Sequence, residues 1–190
     1  MKDELFDIVD SQDRVIGQRY RSEVHQLGLR HRSVHLFAFN TECELFLQKR
    51  SMSKDYSPGK WDSSASGHVD AGEDYDSCVV REAREELGVK LTEPPKKLFK
   101  LNACPQTEQE FVWLYSSQHN GPFRLHPEEI SDGNWFTMGQ IDQWMKTKPA
   151  DFASSFGFIW QQYKHHIADN LSLIHISEPT RPLYISYAVF

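Results

Sequence analysis

The sequence predicts an α/β chain in which a mixed β-sheet lies between helices, an α/β/α sandwich. Three observations carry this. Short runs rich in β-branched and aromatic residues come in pairs, separated by a few turn-forming residues, and read as hairpins. Between Asp74 and Leu87 the apolar residues change to helical periodicity. After two more strand-like runs, two further stretches with helical spacing close the pattern.

Taken in order, Glu4 to Asp10 (ELFDIVD) and Arg14 to Tyr20 (RVIGQRY) flank Ser11-Gln12-Asp13 as a first hairpin. Ser22 to Leu27 is a helical turn closed by Gly28. Val34 to Phe39 and Glu44 to Gln48 flank Asn40-Thr41-Glu42-Cys43 as a second hairpin, whose strands should be central. A Pro58-Gly59 turn leads through Trp61 into a strand over Ser63-Ser64-Ala65-Ser66. In the helix that follows, Val79, Val80, Ala83 and Leu87 fall on one stripe, and Gly88 is placed to end it as a left-handed cap. Lys96 to Ala103 and Glu110 to Ser116 read as strands, Asn134 to Thr137 as a short last strand, and Met138 to Met145 as a helix. From Asp151 to Ile167, Phe152, Phe156, Ile159, Tyr163 and Ile167 recur at helical spacing with Trp160 beside them, a stripe that reads as core packing.

With 190 residues, 39% hydrophobic and 25% charged, the chain fits one globular domain, expected over residues 1–170. A net charge of −6 argues against a general nucleic-acid or anionic-membrane binder, because both need basic surface. Cys43, Cys78 and Cys104 form no C-x2-C pair and no even framework, which fits a reducing compartment. No apolar run approaches membrane-span length, and the start MKDELFDIVD lacks the regions of a signal peptide, so the cytoplasm is the expected location. The sequence leaves monomer and homodimer both open. Leu171 to Phe190 continues no preceding period and resembles translated sequencing-library adapter, so residues 171–190 are expected to be a non-native tail.

Chemistry concentrates between Gly67 and Val89, GHVDAGEDYDSCVVREAREELGV. Glu82, Glu85 and Glu86 stand at i, i+3 and i+4, so three carboxylates converge within about one helical turn, where like charges repel. A cation should compensate them, and Glu73 is placed to join from the helix start. Oxygen ligands that leave room for water and phosphate suit Mg²⁺ or Mn²⁺. Arg50 and Lys54, with Lys49 and Lys60, bring positive charge toward the phosphates of a small-molecule diphosphate substrate. For Lys54 a solvated basic loop is an equal reading.

The same stretch matches G-x5-E-x7-R-E-U-x-E-E-x-G-U at all seven fixed positions. A chance match is on the order of 10⁻⁸ per start site, taking about one in fifteen for each residue type. This is the Nudix box, and the chain resembles a Nudix hydrolase. The resemblance implies the Nudix fold and divalent-metal-dependent cleavage of a diphosphate bond in a nucleoside-diphosphate-linked or related compound. It implies metal binding by Glu82, Glu85 and Glu86, carboxylates oriented by Arg81, and a phosphate loop shaped by Gly67.

A second resemblance runs from His25 to Trp135, to the branch containing isopentenyl-diphosphate isomerase. It implies a metal site of His25, His31, His68, Glu108 and Glu110, and a π face at Trp135 for a cationic intermediate. Read from the residues alone, His25 and His31 are equally compatible with surface histidines. Glu108 and Glu110 alternate with Gln109 and would share one face of a strand, either serving as general base. The isomerase has a cysteine immediately before its Gly-His pair, where this chain has Ser66. A hydroxyl moves protons on carbon far less readily than a thiol. The complete box and the absent thiol favour hydrolysis, with isomerisation of isopentenyl diphosphate as the alternative and a noncatalytic ligand sensor as the third reading.

Overall fold

The computed structural model describes the backbone over residues 3–177 and side chains over 3–170. Two antiparallel strands, β1 (Leu5–Val9) and β2 (Val15–Tyr20), form the first hairpin, and α1 (Arg21–Leu27) ends at Gly28 in the left-handed conformation, φ 61°. The main sheet has β3 (His31–Phe39), β4 (Leu45–Arg50), β5 (Trp61–Asp62), β6 (Ala65–His68), β7 (Lys96–Leu101), β8 (Glu110–Gln118) and β9 (Ile130–Phe136). Its path is β5-β4-β3-β8-β7, with β6 on β3 and β9 on β4. The β3–β8 pair is parallel and the others antiparallel, so the sheet is mixed.

Helices cover both faces. On one, α2 (Tyr75–Leu87) buries Cys78, Val79, Ala83 and Leu87 against Val34, Leu36, Phe46, Ala65 and Tyr115. Val80 is only half-buried, and Cys78 takes the place expected for it on the stripe, because the helix is rotated to turn Glu82 and Glu86 inward as well. Asp74 caps the helix by accepting from the Ser77 amide at 2.7 Å, and Gly88 closes it at φ 70°. On the other face lie α3 (Met138–Thr147), capped by Thr137 and Gln140, and the start of α4 (Ser154–Ser177). There Trp144 packs on Trp61 and Phe152, and Phe156 on Phe37, with ring centroids 4.9–6.1 Å apart.

Two expectations shift. Of the strand drawn over Ser63 to Ser66 only Ala65 and Ser66 are extended, as the start of β6, with β5 ending before it at Asp62, and β3 begins three residues early, at His31. β3 and β4 pair only at Phe39↔Leu45, beside their turn. From there they diverge, β6 taking the flank of β3 while β5 and β9 take those of β4. Their far ends, His31 and Arg50, therefore flank an opening between strands. Insertion of β6 is what creates room for a site.

The chain divides into two compact units after Ile159. All of the sheet lies in the first, and in the second the described backbone is the continuation of α4. Residues 171–177 are helical, where no continuing period was expected, and the rest of the expected tail lies outside the described residues. Among the described residues no helix is long and apolar enough to cross a membrane.

Candidate active site

A cavity of about 450 Å³ opens where β3 and β4 separate. Glu82, Glu85 and Glu86 reach it from α2, His68 and Ser66 from β6, Glu110 from β8, His25 from α1, and Arg50 and Lys54 from the end of β4 and the loop after it. Its lining is polar throughout, Ala153 being the one aliphatic residue in it.

The carboxylates of α2 are held by specific donors. Arg81 reaches both oxygens of Glu73, at 3.0 and 2.9 Å, Glu82 at 2.6 Å and Glu85 at 3.4 Å, and also donates to the His68 carbonyl at 3.0 Å. Glu86 accepts from the Ser66 amide at 2.9 Å and from Gln48 at 3.1 Å. Glu85 stays exposed. Burial, with Glu86 alongside, raises the Glu82 pKa well above the carboxylate range, although Arg81 opposes it. Burial likewise lifts Glu86 to about 7 against the pull of the Ser66 amide. Carboxylates desolvated to this degree favour a nearby cation. Gly67 lets them approach the sheet: a Cβ there would stand 1.9 Å from Glu82 Oε1.

A second group lies on the opposite side of β6. The ring nitrogens of His25, His31 and His68 fall within 4.8 Å of one another. Glu110 Oε1 is 3.1 Å from His68 Nε2 and 3.5 Å from His31 Nε2. His31 Nδ1 bonds the Leu29 carbonyl at 2.9 Å, and a carbonyl only accepts, so the proton sits on Nδ1 and Nε2 presents a lone pair. That nitrogen and His25 Nε2 are buried without a hydrogen-bond partner. A lone pair facing a carboxylate at 3.5 Å is repulsive until a cation stands between them, so the donor set fits a metal ion. Burial also pushes His25 down to about 4, with His68 and His31 adding to the effect, and it lowers His68, leaving these two imidazoles neutral as ligation requires. Burial opposes the charge of Glu110, but His68, within hydrogen-bond distance, holds its pKa well below the usual range.

Three expected site residues are placed differently. Glu73 has both oxygens committed to Arg81 and one also to the Asp70 amide, and it does not line the cavity; it anchors Arg81 instead of joining the carboxylate cluster. Glu108 is not on a strand: it caps a 3-10 turn at φ 55°, Gln109 follows at φ 67°, and β8 starts only at Glu110. Its Oε1 accepts from Ser154 at 3.0 Å, so it reaches the cavity wall but stands apart from the histidine group. Trp135 packs edge-on against Phe46 at 5.3 Å and beside Phe123 at 5.6 Å, and offers no π face to the cavity. His25 and His31 are core-side residues, not surface ones.

Sequence reasoning missed Arg21, His35, Asp62 and Glu129, all of which line the cavity. Lys54 pairs with Glu129, and Arg50 lies 3.3 Å from Asp62. A period-2 signal for His35 was present, since His31, Ser33 and His35 alternate along β3 and face the same side.

The carboxylate titrations predict an effect on stability. Between its ordinary value near 4.5 and its folded value of about 7, Glu86 keeps a proton that the unfolded chain has released, so stability falls as pH rises through that range. The depressed histidines act in the opposite sense, but that contribution is complete above their unfolded value of about 6.5. In EDTA the Tm should therefore fall as the pH rises from about 6.5 through 7, and Mn²⁺ should flatten the slope by stabilising the ionised carboxylates. A Tm that rises across this window without metal would contradict the assignment.

A carboxylate-bearing helix set against a cation-rimmed cavity, in an α/β/α sandwich, places the chain among hydrolases of phosphoanhydrides. A family model of the NUDIX domain matches residues 29–156. An uncharacterized Nudix hydrolase of Yersinia pestis is 38% identical over 143 residues, 73% of this chain and 75% of that one. An isopentenyl-diphosphate Delta-isomerase of Serratia proteamaculans is 31% identical over 157 residues, 81% of this chain and 88% of that one. The crystal structure of DR0079 from Deinococcus radiodurans superimposes with a TM-score of 0.71 at 29% identity, covering 85% of this chain and 98% of that one. The chain thus belongs to the Nudix hydrolase family, which acts on pyrophosphate bonds.

Proposed function

We propose that the protein is a divalent-metal-dependent hydrolase that cleaves the diphosphate of a nucleoside-diphosphate-linked or related small molecule. One observation carries the reading: the three glutamates of α2 and His25, His68 and Glu110 of the second group open onto a single polar cavity that also receives Arg50 and Lys54. Glu82, Glu85 and Glu86 suit Mg²⁺ or Mn²⁺, while three imidazoles with one carboxylate suit Mn²⁺ or another transition ion better than Mg²⁺. Such an ion, when bound, supplies positive charge against the diphosphate oxygens and makes an attacking water more acidic. Arg50 and Lys54 hold the phosphates, Arg81 fixes Glu82, and Glu85 or Glu110 takes the proton from water.

The histidine–Glu110 group also favours a second reading, isomerisation of isopentenyl diphosphate, since the resemblance to the isomerase implies such a site. Two features weigh against it. Ser66 lines the cavity where the isomerase has its thiol, and most of the side chains lining it are polar or charged, which suits a prenyl chain poorly. A hydrolysis screen over a diphosphate library with Mg²⁺ or Mn²⁺ that follows phosphomonoester and phosphate products, including isopentenyl diphosphate with an isomer-resolving readout, separates the two. Cleavage of at least one diphosphate is expected; isomer without any diphosphate cleavage would replace the first reading with the second.

A further inference from the structure

His35 has no part in either carboxylate group and is almost completely buried, yet it lines the cavity. It sits opposite Ser66 in the β3–β6 register, so both side chains stand on the face of the sheet that carries His31 and His68. Its Nδ1 lies 2.7 Å from Ser63 Oγ. Ser63 is fully buried, and a buried hydroxyl must place its proton on an acceptor. Among the described residues Nδ1 is the one partner within hydrogen-bond distance of that hydroxyl, the neighbouring Asp62 accepting from the Ser63 amide at 2.8 Å through Oδ1 and facing Arg50 through Oδ2. The hydroxyl therefore donates to Nδ1, and the ring carries its own proton on Nε2, on the side away from Ser63.

We propose that His35 is a further substrate-contacting residue of this site, presenting a neutral Nε2–H beside Arg50 to an oxygen of the bound diphosphate. This rests on the diphosphate reading of the cavity. Diphosphate oxygens only accept hydrogen bonds, so a protonated nitrogen in a polar wall next to a guanidinium is matched to them. Burial keeps the ring in its neutral form, although Asp62 opposes this. A neutral donor adds a directed contact without a further charge to desolvate.

The test exploits the two nitrogens separately, because a glutamine amide reaches the Nε2 position and an asparagine amide the Nδ1 position. Methylenediphosphonate with Mn²⁺ is titrated calorimetrically into the parent, His35→Gln and His35→Asn. His35→Gln should bind within about threefold of the parent, and His35→Asn about tenfold more weakly, the loss of one hydrogen bond to a charged group. A purely structural role through Ser63 predicts the reverse order. That order, equal binding by both variants, or no binding by any protein overturns the proposal. Binding with the expected order but no cleavage of any diphosphate would overturn the hydrolase reading and leave this one standing. Should both variants fail to fold, ¹⁵N NMR of the imidazole in the unmutated protein decides: a proton on Nε2 is expected, and one on Nδ1 refutes the assignment.

Discussion

Replacing Gly67 with alanine should lower kcat for diphosphate hydrolysis at least about a hundredfold, the usual consequence of displacing a catalytic group by about 1 Å. The cause is space, because a Cβ at this position would lie 1.9 Å from Glu82 Oε1, 2.1 Å from its Cδ and 2.7 Å from Oε2. Neither partner yields readily. Glu82 is tied to Arg81 at 2.6 Å, and Arg81 is itself fixed by Glu73 and the His68 carbonyl. β6 is pinned from the other side, by its pairing with Val34 and by the Ser66 amide bond to Glu86. Overpacking of this kind also costs about 1–3 kcal/mol of stability, visible as a lower Tm. Parent-level kcat/KM in Gly67→Ala would show that Glu82 is free to move, and that the tight seating of the helix on β6 is irrelevant to activity.

The same contact explains why this part of the site could be read from the sequence. Each fixed position in Gly67 to Val89 answers a local demand: a gap for Glu82 at Gly67, a left-handed cap at Gly88, and carboxylates one helical turn apart. Local demands leave a local spacing, so the motif is legible without the fold. The paired runs of the first hairpin were legible for a similar reason, whereas the three histidines came only from the resemblance to the isomerase. What escaped depends on distant parts of the chain. Glu73 reads as one more carboxylate until Arg81 is seen to occupy both its oxygens. Glu108 and Glu110 read as strand neighbours, but two residues with positive φ precede β8 and break the alternation. Trp135 is turned toward Phe46 and Phe123, a choice made by the β4–β9 register. Arg21, Asp62 and Glu129 come together only because β6 forces β3 and β4 apart.

Glu85→Gln is expected to be the most damaging conservative change, reducing kcat by about 10³-fold, within the 10²–10⁴ range for loss of a positioned acid–base group. Of the three glutamates on α2 it is the one not committed to the interior. Glu82 and Glu86 are buried, the first against Arg81 and the second under Gln48 and the Ser66 amide, whereas Glu85 is exposed at the cavity with Arg81 no closer than 3.4 Å. Glutamine matches glutamate in shape and in helix propensity, so the fold should not register the change, and the Tm should stay within the span of a neutral surface substitution, about 0.5 kcal/mol. The amide keeps one acceptor but cannot take a proton or balance a cation's charge. The loss should therefore fall on kcat, while KM, set largely by Arg50 and Lys54, moves little. Glu86→Gln is the informative contrast: it removes a group already half-protonated near neutral pH, and its smaller kinetic loss should come with a flatter dependence of Tm on pH. If Glu85→Gln retained more than about a tenth of the parent kcat, Glu85 would be a spectator and Glu110, across the cavity, would be left as the proton acceptor.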